Sequence, residues 1–328
     1  MFRRNPPART IQSNQQRIYL LFALSIPAFL AITLTFLHQR EHKPEPSTPS
    51  AAPNTGTSLA IEADPFTELL PLGDGKVVTD GPKKGYVYSC TDNFRQGRGS
   101  HAGDWIEGAV WDPTKKIHVQ GEVHWPAAHV SITTAGDERI ISSNDLPEHH
   151  TGIFPIARSD PAYAIDRNPN AIAEQNIRYR LPISPTEAAS PHCTTRGAVG
   201  VMTNGVLLFN ALDDAGLDAA AHEVQDTCDG HPQGQDAYHY HRFSPCFASS
   251  SARDVIGYAL DGFGITGPKK DDGSYYTTAD LDECHGTTSR IMWDGEEREM
   301  YHYVMTADFP YSVGCFAGTP VSGRLSAR

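Results

Sequence analysis

The 328-residue sequence lacks the short motifs of several large enzyme classes. It contains no Walker-type phosphate loop, no H-E-x-x-H pair and no G-x-S-x-G nucleophile elbow. Its six cysteines include no C-x-x-C pair, which counts against a zinc ribbon and a thioredoxin-like redox site. These absences disfavour nucleotide-dependent chemistry, the common zincin mechanism and a serine hydrolase, and we expect no nucleotide cofactor.

Positive charge is scarce and unclustered. The chain carries 27 Lys and Arg residues against 39 Asp and Glu residues, a formal net charge of −12. Phosphate backbones are bound by clustered Lys and Arg, and the second half of the chain has no such cluster. We therefore expect no nucleic-acid partner.

One long apolar run stands near the N-terminus. Residues 18–37 carry no charge and match the ~20 residues that a helix needs to cross ~30 Å of hydrocarbon. Arginines precede the run at positions 3, 4, 9 and 17, which places residues 1–17 in the cytoplasm and the rest of the chain outside. We expect a single-pass membrane anchor. The alternative is a cleaved signal peptide, which would release a secreted protein.

The rest of the chain divides into a linker and one domain. Residues 38–59 are rich in Pro, Ser and Thr and lack apolar periodicity, which predicts a flexible linker. Residues 60–328 follow as an extracytoplasmic domain, periplasmic or extracellular, with runs of strand composition at 86–90, 116–123 and 176–183. We predict a mainly β fold, of β-rich α+β class, with antiparallel strands and hairpins stabilised by disulfides.

Two dipeptides predict hairpins, and one segment predicts a helix. Asn204-Gly205 separates two apolar runs, and Asp261-Gly262 stands in a similar context, so both predict tight primed turns. Over residues 212–225, Ala, Leu and Glu replace β-branched residues and acidic residues lie near the start. This composition predicts a surface helix.

All six cysteines are expected to be oxidised outside the membrane. Residues 226–247 run through Cys, Gly, Tyr-His-Tyr, Pro and Cys-Phe, and residues 282–316 repeat this order with longer spacers. If these are two copies of one unit, each closes most simply with its own disulfide. The resulting pairing is Cys228–Cys246, Cys284–Cys315 and Cys90–Cys193.

The tetrapeptide YHYH at 238–241 carries the strongest candidate chemistry. On a strand, His239 and His241 share one face, about 6.6 Å apart along the strand, while Tyr238 and Tyr240 occupy the other face. Two imidazoles so placed can bind one metal ion, and we expect copper or zinc.

Such a site needs a third ligand. His231 is near in sequence, and His285 and His302 stand at similar places in the second unit. If the two units pack about a pseudo-twofold axis, these histidines would converge. Further side chains could support the ligands by hydrogen bonding or replace one of them: Asp229, Asp261, Tyr238, Tyr240 and Tyr301.

The same residues also fit a purely structural role. Tyr and His tolerate partial burial when their polar ends find partners, so the Tyr-His segments could form hydrogen-bonded core strands without a metal. An Asp-Gly turn likewise explains Asp261 without any chemistry.

Several longer segments resemble those of one family. The segments "NGVLLFN", "DTCDGHP", "YHYH", "GYALDGFGITGP", "LDECHG" and "YHYVMTADFPYSVGCFAG" occur in the order found in the YHYH-domain proteins, a family named for its tetrapeptide. The resemblance covers residues 195–320 and, more weakly, extends back toward residue 85. It implies a secreted or membrane-anchored protein without an assigned reaction. In the second unit Val304 replaces a counterpart of His241, so any site is asymmetric.

Two classes of function follow from the sequence. The first is a membrane-anchored metalloprotein, either a metal-dependent hydrolase or a copper protein, with clustered histidines as ligands. The second is a disulfide-stabilised cell-surface module that binds glycan or protein without a metal, since Tyr-rich surfaces bind partners well. The sequence leaves open whether the protein is an enzyme.

Overall fold

The computed structural model describes residues 64–95, 99–247 and 251–322. The predicted cytoplasmic tail, membrane anchor and linker lie outside these residues and stay predictions. Within the described ranges, no helix is long and apolar enough to cross a membrane. These residues fall within one compact unit, Leu59–Arg328.

Short strands open the described chain. They are β1 (Leu70–Pro71), β2 (Val77–Val78), β3 (Val87–Tyr88), β4 (Ile106–Glu107) and β5 (Val110–Trp111). Strands β1, β5 and β4 form an antiparallel sheet in that order, and β2 pairs with β3 in parallel. β3 lies within the predicted strand 86–90. The predicted strand 116–123 is wrong, because its backbone makes only isolated bridges to two different segments, at Val119 and Val123.

A three-stranded antiparallel sheet follows, made of β6 (Val130–Ala135), β7 (Glu138–Ser143) and β8 (Ile177–Pro182). The inward side chains of β8 alternate with exposed ones, which confirms the strand predicted at 176–183. The β6–β7 hairpin is not predicted from the sequence. Its strands carry several Ser and Thr residues, which blur the apolar alternation.

The last part of the chain forms an eight-stranded sheet and a two-stranded one. Their strands are β9 (Glu187–His192), β10 (Ala198–Met202), β11 (Leu207–Phe209), β12 (Gly230–Pro232), β13 (Tyr238–Tyr240), β14 (Val255–Ala259), β15 (Gly264–Thr266), β16 (Gly286–Trp293), β17 (Glu296–Val304) and β18 (Phe316–Gly318). β9 pairs with β18. The large sheet has the order β12-β13-β11-β10-β14-β15-β17-β16.

The eight-stranded sheet consists of two equivalent halves. In the first half, β10–β13, a hairpin joins β10 to β11, β11 pairs in parallel with β13, and β12 pairs antiparallel with β13. The second half, β14–β17, repeats these three pairings in the same order. β10 pairs antiparallel with β14 and joins the halves. The internal repeat seen in the sequence is therefore structural, and it also includes the two hairpins.

Strand register shows which residues of the halves are equivalent. Leu208 and Ile265 lie opposite Tyr240 and Tyr303, and Gly230 and Gly286 lie opposite the same two tyrosines. The resulting equivalences are His231 with Thr287, His239 with His302, His241 with Val304, and Asp229 with His285.

Both predicted hairpins are confirmed, but their turns are not primed two-residue turns. Gly205 donates its N–H to the Met202 carbonyl and has φ 87°, whereas Asn204 is not among the positive-φ residues. The turn is therefore a three-residue loop that ends in a left-handed glycine. Gly262 repeats this geometry, with φ 95° and a bond to the Ala259 carbonyl.

The helix predicted at 212–225 is present but much shorter than predicted, and it is buried where a surface helix was expected. In the described chain the α-helix is one turn, α1 (Ala219–His222), and its three alanines are buried. Asp213 accepts N–H groups from Ala215 and Leu217, and this loop occupies the backbone that a helix would need. The helix begins only at the Asp218 cap. Three 3₁₀ turns complete the described elements: Pro65–Thr67, Pro161–Ala164 and Thr278–Asp280.

Three disulfides stabilise this mainly β fold. They join Cys90 to Cys193, Cys228 to Cys246 and Cys284 to Cys315, which are the pairs derived above from the repeat. The largest hydrophobic core includes buried side chains of β7 and β8 and of both halves of the eight-stranded sheet. The predicted fold class holds for the described residues: mainly β, with antiparallel sheets, few helical turns and three disulfides.

Candidate metal centre

Two neighbouring strands at one edge of the large sheet place three histidines together. His239 is the middle residue of β13, and His231 lies directly opposite it on β12. His241 follows two residues after His239, so its side chain returns to the same face. All three are buried, with 5% of His231 and 2% of His239 and His241 exposed.

A carboxylate completes the group. Glu223 ends α1, where its N–H bonds to the Ala219 carbonyl. Its Oε2 lies 2.9 Å from Nε2 of His241 and 3.2 Å from Nε2 of His231. One ligand atom from each of the four residues lies within 4.8 Å of every other. Such a set matches the size of a first coordination sphere.

Backbone hydrogen bonds fix the orientation of two imidazoles. Nδ1 of His241 lies 2.6 Å from the Asn210 carbonyl, and Nδ1 of His239 lies 3.3 Å from the Ala237 carbonyl. A carbonyl only accepts, so each neutral ring carries its proton on Nδ1 and presents the Nε2 lone pair. These two Nε2 atoms are 3.1 Å apart. Metal-binding histidines are commonly held by such a carbonyl partner.

The electrostatics of the group combine burial with charge. Burial and the other two imidazoles hold the pKa of His239 well below its usual range. Burial also acts to lower the pKa of His241, but the Glu223 carboxylate outweighs it and raises this pKa. Burial alone would raise the pKa of Glu223, yet His231 and His241 hold it well below the usual range. The group therefore contains an ionised carboxylate and a neutral imidazole, both forms that bind metals.

The four residues line a cleft with a volume of about 1210 Å³. Phe209 forms part of its wall and stacks on the His239 ring, with ring centroids 3.9 Å apart. Farther along the wall, His101 pairs with Asp166 at 3.1 Å. A small molecule in this cleft can therefore reach the histidine group.

The tyrosines of the tetrapeptide point away from this group. Tyr238 donates its hydroxyl to Asp226 at 3.0 Å, and the Tyr240 hydroxyl accepts from Asn204 at 3.0 Å. Tyr301, in the second half, packs edge-on against Phe263. The predicted division of faces is therefore observed, and the hydroxyls of Tyr238 and Tyr240 have partners other than the three histidines.

The two candidate aspartates also lie outside the group. Asp229 faces Arg242 and His118, each 3.7 Å away. Asp261 accepts the Tyr303 hydroxyl at 2.6 Å and the Gly318 N–H at 2.9 Å, and burial raises its pKa. Both carboxylates have structural partners, which supports the turn interpretation of Asp261.

His285 and His302 do not join the other histidines. β13 and β17 are separated by four strands, so their five spacings of ~4.8 Å put about 24 Å between them. His302 bonds to Thr266 and Ser289 hydroxyls at 3.1 and 2.9 Å, and His285 to the Thr306 hydroxyl at 2.9 Å. The expected convergence of the two units is wrong, because the halves lie side by side within one sheet.

Burial without a nearby carboxylate keeps these two histidines neutral. It lowers the pKa of His302 to about 4 and that of His285 to about 3. Register also corrects the sequence comparison, since His285 is equivalent to Asp229 and not to His231. Glu223, which the sequence analysis missed, takes the place that was assigned to a histidine of the second unit. Its only sequence signal is a carboxylate next to His222.

Residues 178–274 match a protein-family model described as YHYH protein. The chain contains a YHYH domain. The match extends from β8 through β15 and includes all four residues of the histidine group. No curated protein and no solved structure matches the chain. The match thus relates residues 178–274 to the YHYH proteins and assigns no reaction. Any proposal about function rests on the geometry of the site.

Proposed function

We propose that this chain is a metalloprotein that binds one copper or zinc ion through His231, His239, His241 and Glu223. The observation that carries the proposal is the convergence of four buried or half-buried ligand atoms within 4.8 Å of one another. Imidazole and carboxylate ligands suit both metals.

Hydrogen bonding alone accounts poorly for this arrangement. Oε2 of Glu223 and Nε2 of His231 are buried and make no hydrogen bond of good geometry, and this oxygen has only ion-pair contacts, 2.9 Å to His241 and 3.2 Å to His231. Nε2 of His239 also lies 3.1 Å from Nε2 of His241. Unpaired buried polar atoms are costly. One divalent cation would satisfy all four atoms at once, whereas one proton can join only two.

The cleft would let a small-molecule substrate reach such a metal. A zinc ion there would polarise a bond for hydrolysis, and a copper ion would support electron or oxygen chemistry. In either case Phe209 and the other walls of the cleft would position the substrate beside the metal. The identity of the metal would narrow the class of reaction.

The disulfides support an oxidising location. Three disulfides in one domain are typical of proteins outside the cytosol, which agrees with a periplasmic or extracellular domain. We propose that the apolar run at 18–37 either anchors the protein in the membrane or is cleaved to release it.

Elemental analysis of the purified protein tests the metal proposal. The protein is prepared without a metal-binding tag, and His239→Ala with His241→Ala is compared with His302→Ala. His302 is the matched control, because it is equivalent to His239 and is equally buried. We expect about one copper or zinc ion per chain in the wild type and the control, and none in the double variant.

Two outcomes would contradict the proposal. Full metal content in the double variant would place the metal elsewhere. No metal in the wild type after reconstitution with both ions would make the histidines structural, and would favour a module that binds glycan or protein.

A further inference from the structure

A second cavity lies apart from the histidine cleft and shares no lining residue with it. Its volume is about 540 Å³, within the ~300–1,000 Å³ range of small-molecule pockets. The 3₁₀ turn Pro65–Thr67, the end of β5 and the loop after β13 contribute to its wall. It is large enough for a ligand of one or two rings.

Aromatic rings form much of the wall. Phe66 lies 5.5 Å from Phe243 and 6.3 Å from Tyr275, measured between ring centroids. Phe243 in turn contacts Phe247 at 5.4 Å. These rings are only partly buried, so they present apolar faces to the cavity. Such a wall favours a flat apolar ligand.

A buried cation also lines the cavity. Arg242 is 3% exposed, and the carbon of its guanidinium lies 5.3 Å from the rings of both Phe66 and Trp111. Its Nε donates no hydrogen bond, and Asp229 is 3.7 Å away. The two rings thus hold a guanidinium whose hydrogen-bonding capacity is not used up by the protein.

The charges around the cavity favour an anion. The cations are Lys116, Arg242 and Lys269, and the carboxylates are Asp64 and Asp229. Lys116 is only 5% exposed and bonds to a carbonyl and an amide oxygen, neither of which is charged. His118 also lines the cavity. With a neutral His118, the three cations and two carboxylates leave one positive charge over. A planar guanidinium binds a carboxylate through two parallel hydrogen bonds.

We propose that this cavity binds a small organic acid with a flat aromatic body. The carboxylate of the ligand accepts hydrogen bonds from Arg242, and its ring packs among Phe66, Phe243 and Phe247. The proposal does not depend on a metal, because none of the four residues of the histidine group lines this cavity.

Calorimetric titration of the full chain tests the proposal with matched probes. 2-Naphthoate carries the acid, and 2-naphthalenemethanol has the same rings without the charge. We expect saturable binding of the acid, at least about tenfold tighter than binding of the alcohol. Phe66→Ala should weaken both probes about fivefold or more. Phe94→Ala, at an aromatic residue that lines the histidine cleft, should change neither.

Arg242→Gln tests the contribution of the charge separately from that of the aromatic rings. We expect it to remove the preference for the acid while the alcohol still binds. Because this change leaves Asp229 without its cation, folding is checked by circular dichroism and urea unfolding. If the variant does not fold, Lys269→Gln and Phe247→Ala provide the charge and ring tests at the less buried wall.

Three results would overturn the proposal. The first is no saturable binding of 2-naphthoate, benzoate or indole-3-acetate to the folded wild type. The second is equal affinity for 2-naphthoate and 2-naphthalenemethanol. The third is a loss of affinity in Phe94→Ala without one in Phe66→Ala, which would place the probe in the histidine cleft.

Discussion

The two halves of the eight-stranded sheet share a topology but differ in chemistry. Both contain a hairpin closed by a left-handed glycine, a parallel crossover and a Tyr-His-Tyr strand. In both, a glycine packs against a tyrosine side chain and leaves no room for a Cβ. A Cβ on Gly230 would lie about 2 Å from the ring of Tyr238, and one on Gly286 about 2 Å from the hydroxyl of Tyr301. The repeated features are those that the backbone and core require.

The difference lies in the side chains on the other face. The first half has three histidines and Glu223, whereas the equivalent positions of the second half are Thr287, His302 and Val304. The second half folds with these residues and satisfies His302 with two hydroxyls. The comparison teaches that this topology does not require the histidine group, because the second half adopts it with Thr287 and Val304 at two of the equivalent positions. This asymmetry favours a functional role for the first half.

Exchanging one residue between the halves gives the largest expected effect. His241→Val copies Val304 into the first half and removes a proposed ligand. We expect metal affinity to fall by about 1,000-fold or more, or ~4 kcal/mol, measured by competition with a chromophoric chelator.

The reverse exchange is the control. Val304→His places a second histidine two residues after His302, but Thr287 remains opposite His302, where the first half has His231. We expect no second metal. A second site of similar affinity would show that the Tyr-His strand alone defines the site, without His231 and Glu223.

Local patterns in the sequence predicted many of the features that the two halves share. The side-chain period of a strand placed His239 and His241 on one face and the tyrosines on the other. The repeated order of Cys, Gly and Tyr-His-Tyr marked the two units and gave the disulfide pairs. Asn-Gly and Asp-Gly located both hairpins. Each of these signals depends on residues that are close in the chain.

Contacts between residues far apart in the chain could not be predicted from these local patterns. Glu223 reaches the histidines because a buried single turn of helix ends beside β12, and no spacing in the sequence encodes that contact. The position of the second unit depends on β10 pairing with β14, which separates the histidines of the two units. The segment after Asp213 forms a loop where a helix was predicted, because the Asp213 carboxylate accepts the N–H groups of Ala215 and Leu217. Amino-acid composition does not reveal such bonds.

The equivalent turn aspartates of the two halves should differ in pH dependence. Burial raises the pKa of Asp226 from 3.8 to about 6. Because the folded pKa lies above the unfolded one, this group stabilises the fold most below about pH 4 and less as the pH rises through about 6. The change corresponds to about 3 kcal/mol. Asp226→Asn should remove this decline from urea unfolding curves between pH 4 and 7.

Asp282 provides the comparison within the same chain. It accepts the N–H groups of Cys284 and Gly286 as Asp226 accepts those of Cys228 and Gly230. Burial raises its pKa too, but Asp282 is only half-buried. We expect Asp282→Asn to remove a smaller decline of the same sign. A larger effect from Asp282→Asn would contradict the assigned role of burial.

The smallest expected difference concerns the tyrosine hydroxyls. Tyr303 donates to Asp261 at 2.6 Å and accepts the Ala317 N–H at 2.7 Å, so it joins β17 to β18. Tyr240 instead accepts from the neutral Asn204 at 3.0 Å and also contacts His149. Hydrogen bonds to charged groups contribute more to stability, and Tyr303→Phe should cost about 2 kcal/mol against about 1 for Tyr240→Phe. Urea unfolding of both variants at pH 7 measures the difference. Equal costs would mean that Asp261 is protonated at this pH, since a neutral acid would make the two hydroxyls alike.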